Sequence, residues 1–314
     1  MTAGDWTDPN VDYLLLQILN GVQLGLLMFL LAAGLTLTFG IMDLVNLAHG
    51  SLYMMGAYFA WTLIGWTDSF LLGALLALPA TFLLGLLLER LVMRRLYARD
   101  HLDHVLATFG LILFFNELVR ALWGPAGKSI AVPRFLAHTV EILPGVLYPA
   151  YRFAIIVVGA LVAALLAWLV ARTRLGMLIR AGASDRRMIG ALGVDIELLF
   201  ALVFGLGAAF AGLAGLMAAP LSSVKIGMGD DILIVAFVVI VIGGIGSIKG
   251  AFVAAMVVGQ IDIVGRAFLP DVLKAFLSAS AASAAAPAIS QVLVYLVMAS
   301  VLVWRPTGLF GQRT

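Results

Sequence analysis

The chain has no cysteine among its 314 residues. That excludes a disulfide framework, thiolate metal sites and a cysteine nucleophile. Charge is scarce as well: 11% of residues are charged against 63% hydrophobic, a balance foreign to soluble domains and typical of polytopic membrane proteins. The N-terminal tail, MTAGDWTDPNVD, has three aspartates and no Lys or Arg. It lacks the basic start of a cleavable signal peptide, so the first apolar run is read as a retained helix. No HExxH or GxSxG occurs, which leaves metal-assisted and serine hydrolysis without candidates, and no metal site is expected.

Two fragments imitate catalytic motifs. Gly127, Lys128 and Ser129 spell the end of a P-loop, but Leu122 stands where its first glycine belongs. Gly227, Met228, Gly229 and Asp230 spell GxGD, which in intramembrane proteolysis needs a second carboxylate in the same site. Asp43 and Asp262 follow Met42 and Ile261 and lack the Tyr-Asp context, so Asp230 or Asp231 is read instead as a helix N-cap.

What is present is apolar sequence in lengths that span a bilayer core of roughly 30 Å. The runs are Tyr13–Met42, Leu44–Gly65, Ser69–Leu88, Val105–Trp123, Phe153–Ala171, Leu198–Val224, Ile232–Ile248, Gly250–Phe268 and Ala275–Trp304. They predict an all-α polytopic membrane protein of eight or nine helices, forming a single transmembrane domain over 1–314. The net charge of +2 indicates topology rather than nucleic-acid binding. Glu89–His104 and Arg172–Glu197 carry four and five arginines, nine of the nineteen basic residues, and should face the cytoplasm. Nine crossings then put the N-terminus outside, Arg305 and Arg313 inside, and the proline-bearing loop Gly124–Arg152 outside.

Two runs are interrupted. Gly243, Gly244, Gly246 and Gly250 stand amid apolar residues, reading either as a broken or re-entrant helix pair or as a tight turn at Lys249. LSASAASAAAPAIS, Leu277–Ser290, permits close helix packing but can also be an external loop, with Pro287 inside it.

Polar residues within the apolar runs are expensive in hydrocarbon and should face protein or water. Asn46, His49 and Tyr53, at i, i+3 and i+7, form one helical face and are candidates for a solute path, or for interhelical hydrogen bonding. Gln17, Asn20 and Gln23 form another inward stripe, with packing the safer role. Glu117 and Arg120 suit a salt bridge near the external interface. The segment Arg180–Asp195, RAGASDRRMIGALGVD, is a polar, glycine-bearing interruption between apolar runs. It is either an ordinary positive-inside loop or a surface that another protein grips.

FGIMDLVNLAHGSLYMMGAYFAW, Phe39–Trp61, resembles the signature of the permeases of high-affinity branched-chain amino acid importers of the ABC class, most closely the LivH type. RAGASDRRMIGALGVD followed by FALVFGLGAAFAGLAGLMAAP, then VVIGGIGSIKGAFVAAMVVG, and the closing VWRPTGLFG agree in order, so the resemblance covers nearly the whole chain. The family also includes urea and short-amide permeases. The resemblance implies a bacterial inner-membrane subunit that is no enzyme and binds no cofactor, ATP and Mg being held by its partners. Those partners would be a second, LivM-like permease, two cytoplasmic ATPases and a periplasmic solute-binding protein, with lipid around the helices and no nucleic acid. Residues 180–195 would be the cytoplasmic coupling loop, with Ala183, Asp185, Arg186, Arg187, Gly190 and Gly193 at the ATPase groove. An ion-coupled secondary transporter or channel is the competing class, and the Gly243–Gly250 interruption is the only feature in its favour.

Overall fold

A backbone surrounded by hydrocarbon must satisfy its N–H and C=O groups within its own segment, so long apolar runs become helices. The computed structural model describes residues 9–44 and 46–311; residues 1–8 of the acidic tail and Arg313 lie outside them. It contains α1 (Pro9–Met42), α2 (His49–Thr67), α3 (Phe70–Leu88), α4 (Arg94–Leu96), α5 (His101–Trp123), α6 (Ala150–Arg172), α7 (Arg174–Ser184), α8 (Arg186–Ala191), α9 (Ile196–Ala218), α10 (Met228–Gly243), α11 (Ile248–Leu273) and α12 (Ala279–Trp304). A hairpin of β1 (Thr139–Leu143) and β2 (Val146–Pro149) is the one departure from helix that forms a sheet among the described residues.

Each of the nine apolar runs appears as a helix. Seven helices are long and apolar enough to cross a membrane: α1, α3 extended through α4, α5, α6, α9, α11 and α12. The other two are α2, rich in glycine, tyrosine and tryptophan, and α10, which at 16 residues reaches only about 24 Å. Both have many buried residues, so neighbouring helices rather than lipid surround much of their surface.

Helices α1 and α9 form the centre, with 83% and 72% of their apolar windows buried, against 17% for α5, α6 and α12. The outer helices present Leu75, Leu83, Phe109, Phe114, Leu161 and Trp168, an apolar exterior suited to lipid. Glycines let the central helices touch. A Cβ at Gly56 would overlap the Gly212 backbone, and one at Gly229 would run into the Gly50 carbonyl.

Both interrupted runs resolve. The Gly243–Gly250 interruption is a tight turn, with Gly244 (φ 99°) and Gly246 (φ 79°) in left-handed backbone and Ser247 capping α11 through Gly250 N–H at 3.1 Å. Its tip lies at 244–247, and Lys249 already belongs to α11. Leu277–Ser290 is mostly the first half of α12, with Pro287 kept inside the helix and Ala282, Ala286 and Ser290 buried. The Ser290 hydroxyl bonds the Ile261 and Asp262 carbonyls at 3.2 and 3.0 Å, so the small-residue face packs on α11.

The two ends of the bundle differ. At the arginine end, Gly40 of α1 meets Gly246, Leu309 N–H bonds the Ile242 carbonyl at 2.8 Å, and Gly182 lies against Ile41. At the hairpin end, Tyr148 Oη and Arg152 Nη1 donate to Asn20 Oδ1 at 3.1 and 2.7 Å, and Lys128 and Val224 form a backbone bridge. Asn20 thus anchors the hairpin, Gln23 is buried, and Glu117 pairs with Arg120 at 3.6 Å on the surface. Burial pushes the Tyr148 phenol up to about 12. Lys128 lies over the Trp61 ring at 5.1 Å.

Candidate functional sites at the two ends of the bundle

The polar segment at the arginine end is an elbow of two short helices. Thr173 caps α7 by accepting Gly176 N–H at 3.1 Å, Asp185 caps α8 by accepting Arg187 and Met188 N–H at 2.9 and 3.0 Å, and Asp195 caps α9. Gly193, at φ 84°, ends α8 in left-handed backbone. Ile179, Gly182 and Ile189 are buried and fasten the elbow to the bundle. Of the residues singled out from sequence, Ala183, Asp185, Arg187, Gly190 and Gly193 are exposed and Arg186 is half-buried. Asp185 Oδ1 is already engaged as a helix cap, which spacing alone did not reveal. Sequence reasoning missed Met188 and Leu192, 61% and 76% exposed beside these polar residues. Their signal was an apolar pair four residues apart inside a polar loop.

A cavity of about 370 Å³ lies beneath the elbow, lined by Thr36, Gly40, Arg180, Ala183, Ser184 and Gly246 among others. Beside it, helix α3 passes into a π-turn, Glu89–Met93, and then α4. Glu89 is wholly buried and accepts the Tyr97 hydroxyl at 2.8 Å. Burial and the Glu89 carboxylate push the Tyr97 phenol well above its ordinary range. Arg94 stands 3.6 Å from Glu89 and donates Nη1 to Glu197 at 2.7 Å, tying the end of α3 to the first turn of α9 directly below the elbow. Arg94→Ala therefore leaves a buried carboxylate without a cation, and with Arg94 itself one-third exposed the expected cost is about 2–3 kcal/mol. Glu197→Ala, whose side chain is 67% exposed, should cost less than about 1 kcal/mol. Thermal unfolding of both variants in detergent checks this; equal shifts would remove Arg94 from the role.

At the hairpin end a second cavity, of about 400 Å³, opens between α1, α10, α11, α12 and residues 222–228. Tyr53 lines it. Asn46 and His49 do not: both are fully buried, and Asn46 precedes α2 in a turn, so the three residues do not share one helix. Among the described residues neither the Asn46 amide nor the His49 ring makes a well-aligned hydrogen bond, and Gly34 packs against His49 Nε2. The structure thus separates a sealed polar pair from the one member that reaches a cavity. The expected N-cap role of Asp230 or Asp231 is corrected: Gly227, at φ 76°, occupies the cap, while Asp230 accepts Asn116 Nδ2 at 3.3 Å. Among the described residues no group of three or more His, Asp or Glu could hold a metal ion.

A helical bundle with an apolar exterior and seven helices long and apolar enough to span is a polytopic integral membrane protein. The chain belongs to the family described as branched-chain amino acid transport system / permease component, whose model matches residues 17–302. It is similar to the high-affinity branched-chain amino acid transport system permease protein BraD of Pseudomonas aeruginosa, 30% identical over 97% of this chain and 98% of that protein. It is also similar to LivH of Escherichia coli K12, at 28% over 96% of both chains, and to a probable LivH of Methanocaldococcus jannaschii, at 26% over 91% and 89%. No solved structure matches the chain.

Proposed function

We propose that the chain is the permease subunit of an ABC importer that moves branched-chain or related small amino acids inward across a bacterial inner membrane. End-to-end similarity to permeases of such systems carries this reading. In it the arginine end is cytoplasmic, as the positive-inside bias favours, and the tail and hairpin are periplasmic. The exposed elbow is the coupling segment, where Ala183, Arg187, Gly190 and Gly193, together with Met188 and Leu192, seat on an ATPase. Asp185 holds α8 in shape for that contact.

Two cytoplasmic ATPases, a LivM-like second permease and a periplasmic solute-binding protein complete the assembly. ATP and Mg belong to the ATPases, and this chain transports without catalysing. Hydrolysis would shift the elbow, and rigid-body movement would give the two cavities alternating access. The hairpin-end cavity, with Tyr53 in its wall, receives solute from the binding protein; Asn46 and His49 fix the packing around it.

End-to-end similarity to permeases of transport systems, together with the turn at 244–247, supports this reading over ion coupling. In proteoliposomes carrying all partners, labelled leucine uptake should require ATP and vanish when the ATPases are omitted. Undiminished uptake by this chain alone would overturn the reading.

A further inference from the structure

The hairpin-end cavity carries both signs of charge over an apolar floor. On α11, Arg266 Nε and Nη2 each lie 2.9 Å from Asp262 Oδ1. The guanidinium thus donates Nε to one carboxylate oxygen and keeps Nη2 in ion-pair contact with the same oxygen. Asp262 Oδ2 and Arg266 Nη1 have no hydrogen-bond partner among the described residues. The pair is unevenly sheltered, with Asp262 14% and Arg266 46% exposed. At the mouth stand Lys225 and Asp231, both exposed and in no ion pair among the described residues. Met28, Val258 and Val294 supply the floor.

From this arrangement we propose that Asp262 and Arg266 form a subsite for the head of a zwitterionic, aliphatic solute, a proposal that rests on the importer reading above. The solute's carboxylate meets Arg266 Nη1, with Lys225 guiding its entry. Its ammonium meets Asp262 Oδ2, with Asp231 beyond, while the aliphatic side chain lies on Met28, Val258 and Val294.

Charge balance supplies the selectivity. The pair is neutral as it stands, so an anion or a cation alone leaves a net charge in the cavity, whereas a zwitterion adds none and engages the free atom of each member. A neutral amide such as urea gains nothing from the apolar floor and matches neither charge. The volume suits a small solute, since ligand pockets run from about 300 to 1,000 Å³. The chemistry therefore separates amino acids from urea and short amides, which similarity within the family does not.

The test uses the complete transporter in proteoliposomes with saturating liganded binding protein. Asp262→Asn and Arg266→Gln are each expected to lower maximal leucine uptake at least tenfold, while binding-protein-stimulated ATP hydrolysis stays within twofold of wild type. The exchanged pair, Asp262→Arg with Arg266→Asp, separates reading from packing. It restores the ion pair, so a purely structural role predicts recovered uptake. A subsite predicts none, because the solute's chirality fixes where its head groups lie once its side chain is on the floor.

Wild-type uptake in either single variant, or recovery in the exchanged pair, overturns the subsite. Should Arg266→Gln fail to accumulate, Lys225→Gln on an exposed side chain is expected to reduce uptake two- to threefold, and no reduction would overturn the subsite. If the wild-type assembly moves urea and no leucine, the importer reading for amino acids falls and takes the subsite with it.

Discussion

Gly56→Leu should all but abolish recovery of folded protein, whereas Gly65→Leu, nine positions further along α2, should leave it unchanged. The two glycines differ in what surrounds them. A Cβ at Gly56 would overlap the backbone of Gly212 in α9, while nothing lies within 4 Å of a Cβ at Gly65. Overpacking into side chains costs typically about 1–3 kcal/mol because rotamers can adjust. Here the obstructing atoms are main chain, and α2 and α9 must separate along their length. Gly212 is itself filled from its other side by Thr81 of α3, so α9 has no room to retreat. A cost of about 3 kcal/mol or more is expected even for Gly56→Ala, on the order of a hundredfold in the folded-to-unfolded ratio. Size-exclusion yield in mild detergent reads the result, and equal recovery of the Gly56 and Gly65 variants would refute close packing of α2 on α9.

This contact shows which parts of the molecule were legible in the sequence. Apolar run length reports directly on helix existence, so the nine helices of 16 residues or more among those described were visible while the short α4, α7 and α8 were not, and arginine content marked the two polar connections that the structure brings to one end. Helix starts were less legible because they depend on local capping competition. The i, i+3, i+7 spacing of Asn46, His49 and Tyr53 assumed one continuous helix, yet α2 begins only at His49, and Asn46 sits in the turn before it. Gly227 likewise took the cap position expected of Asp230, because a left-handed residue at that point is easier for glycine than for aspartate. The cavities were not legible at all. Asp262 and Arg266, an ordinary i, i+4 pair on paper, gain their setting from α1, α10 and α12, which are distant in sequence. Local patterns carry no record of such neighbours.

The Met188→Asp, Leu192→Asp double variant should abolish co-purification of the ATPases and ATP-driven uptake together, while the permease itself folds normally. Both side chains are largely exposed, so their loss removes little packing within the chain. Ile189, between them, is 5% exposed and keeps α8 anchored, and the Asp185 cap is untouched. Fully burying a large apolar side chain that otherwise stands in water contributes about 1.5–3 kcal/mol, while exposed charges at the rim contribute less. Two of them together are expected to decide whether the complex survives purification. Arg187→Gln, which removes an exposed charge, should slow association without preventing it. The geometry extends the consequence inward. Helix α7 supplies Arg180, Ala183 and Ser184 to the cavity beneath the elbow, and Arg94 joins Glu197, at the base of α9, to the end of α3. A force applied at Met188 and Leu192 thus acts on the cavity wall and on two core-packing helices at once, which is why loss of this contact should silence transport rather than weaken it. ATPases retained at wild-type stoichiometry by the double variant would place the coupling surface elsewhere on the arginine end.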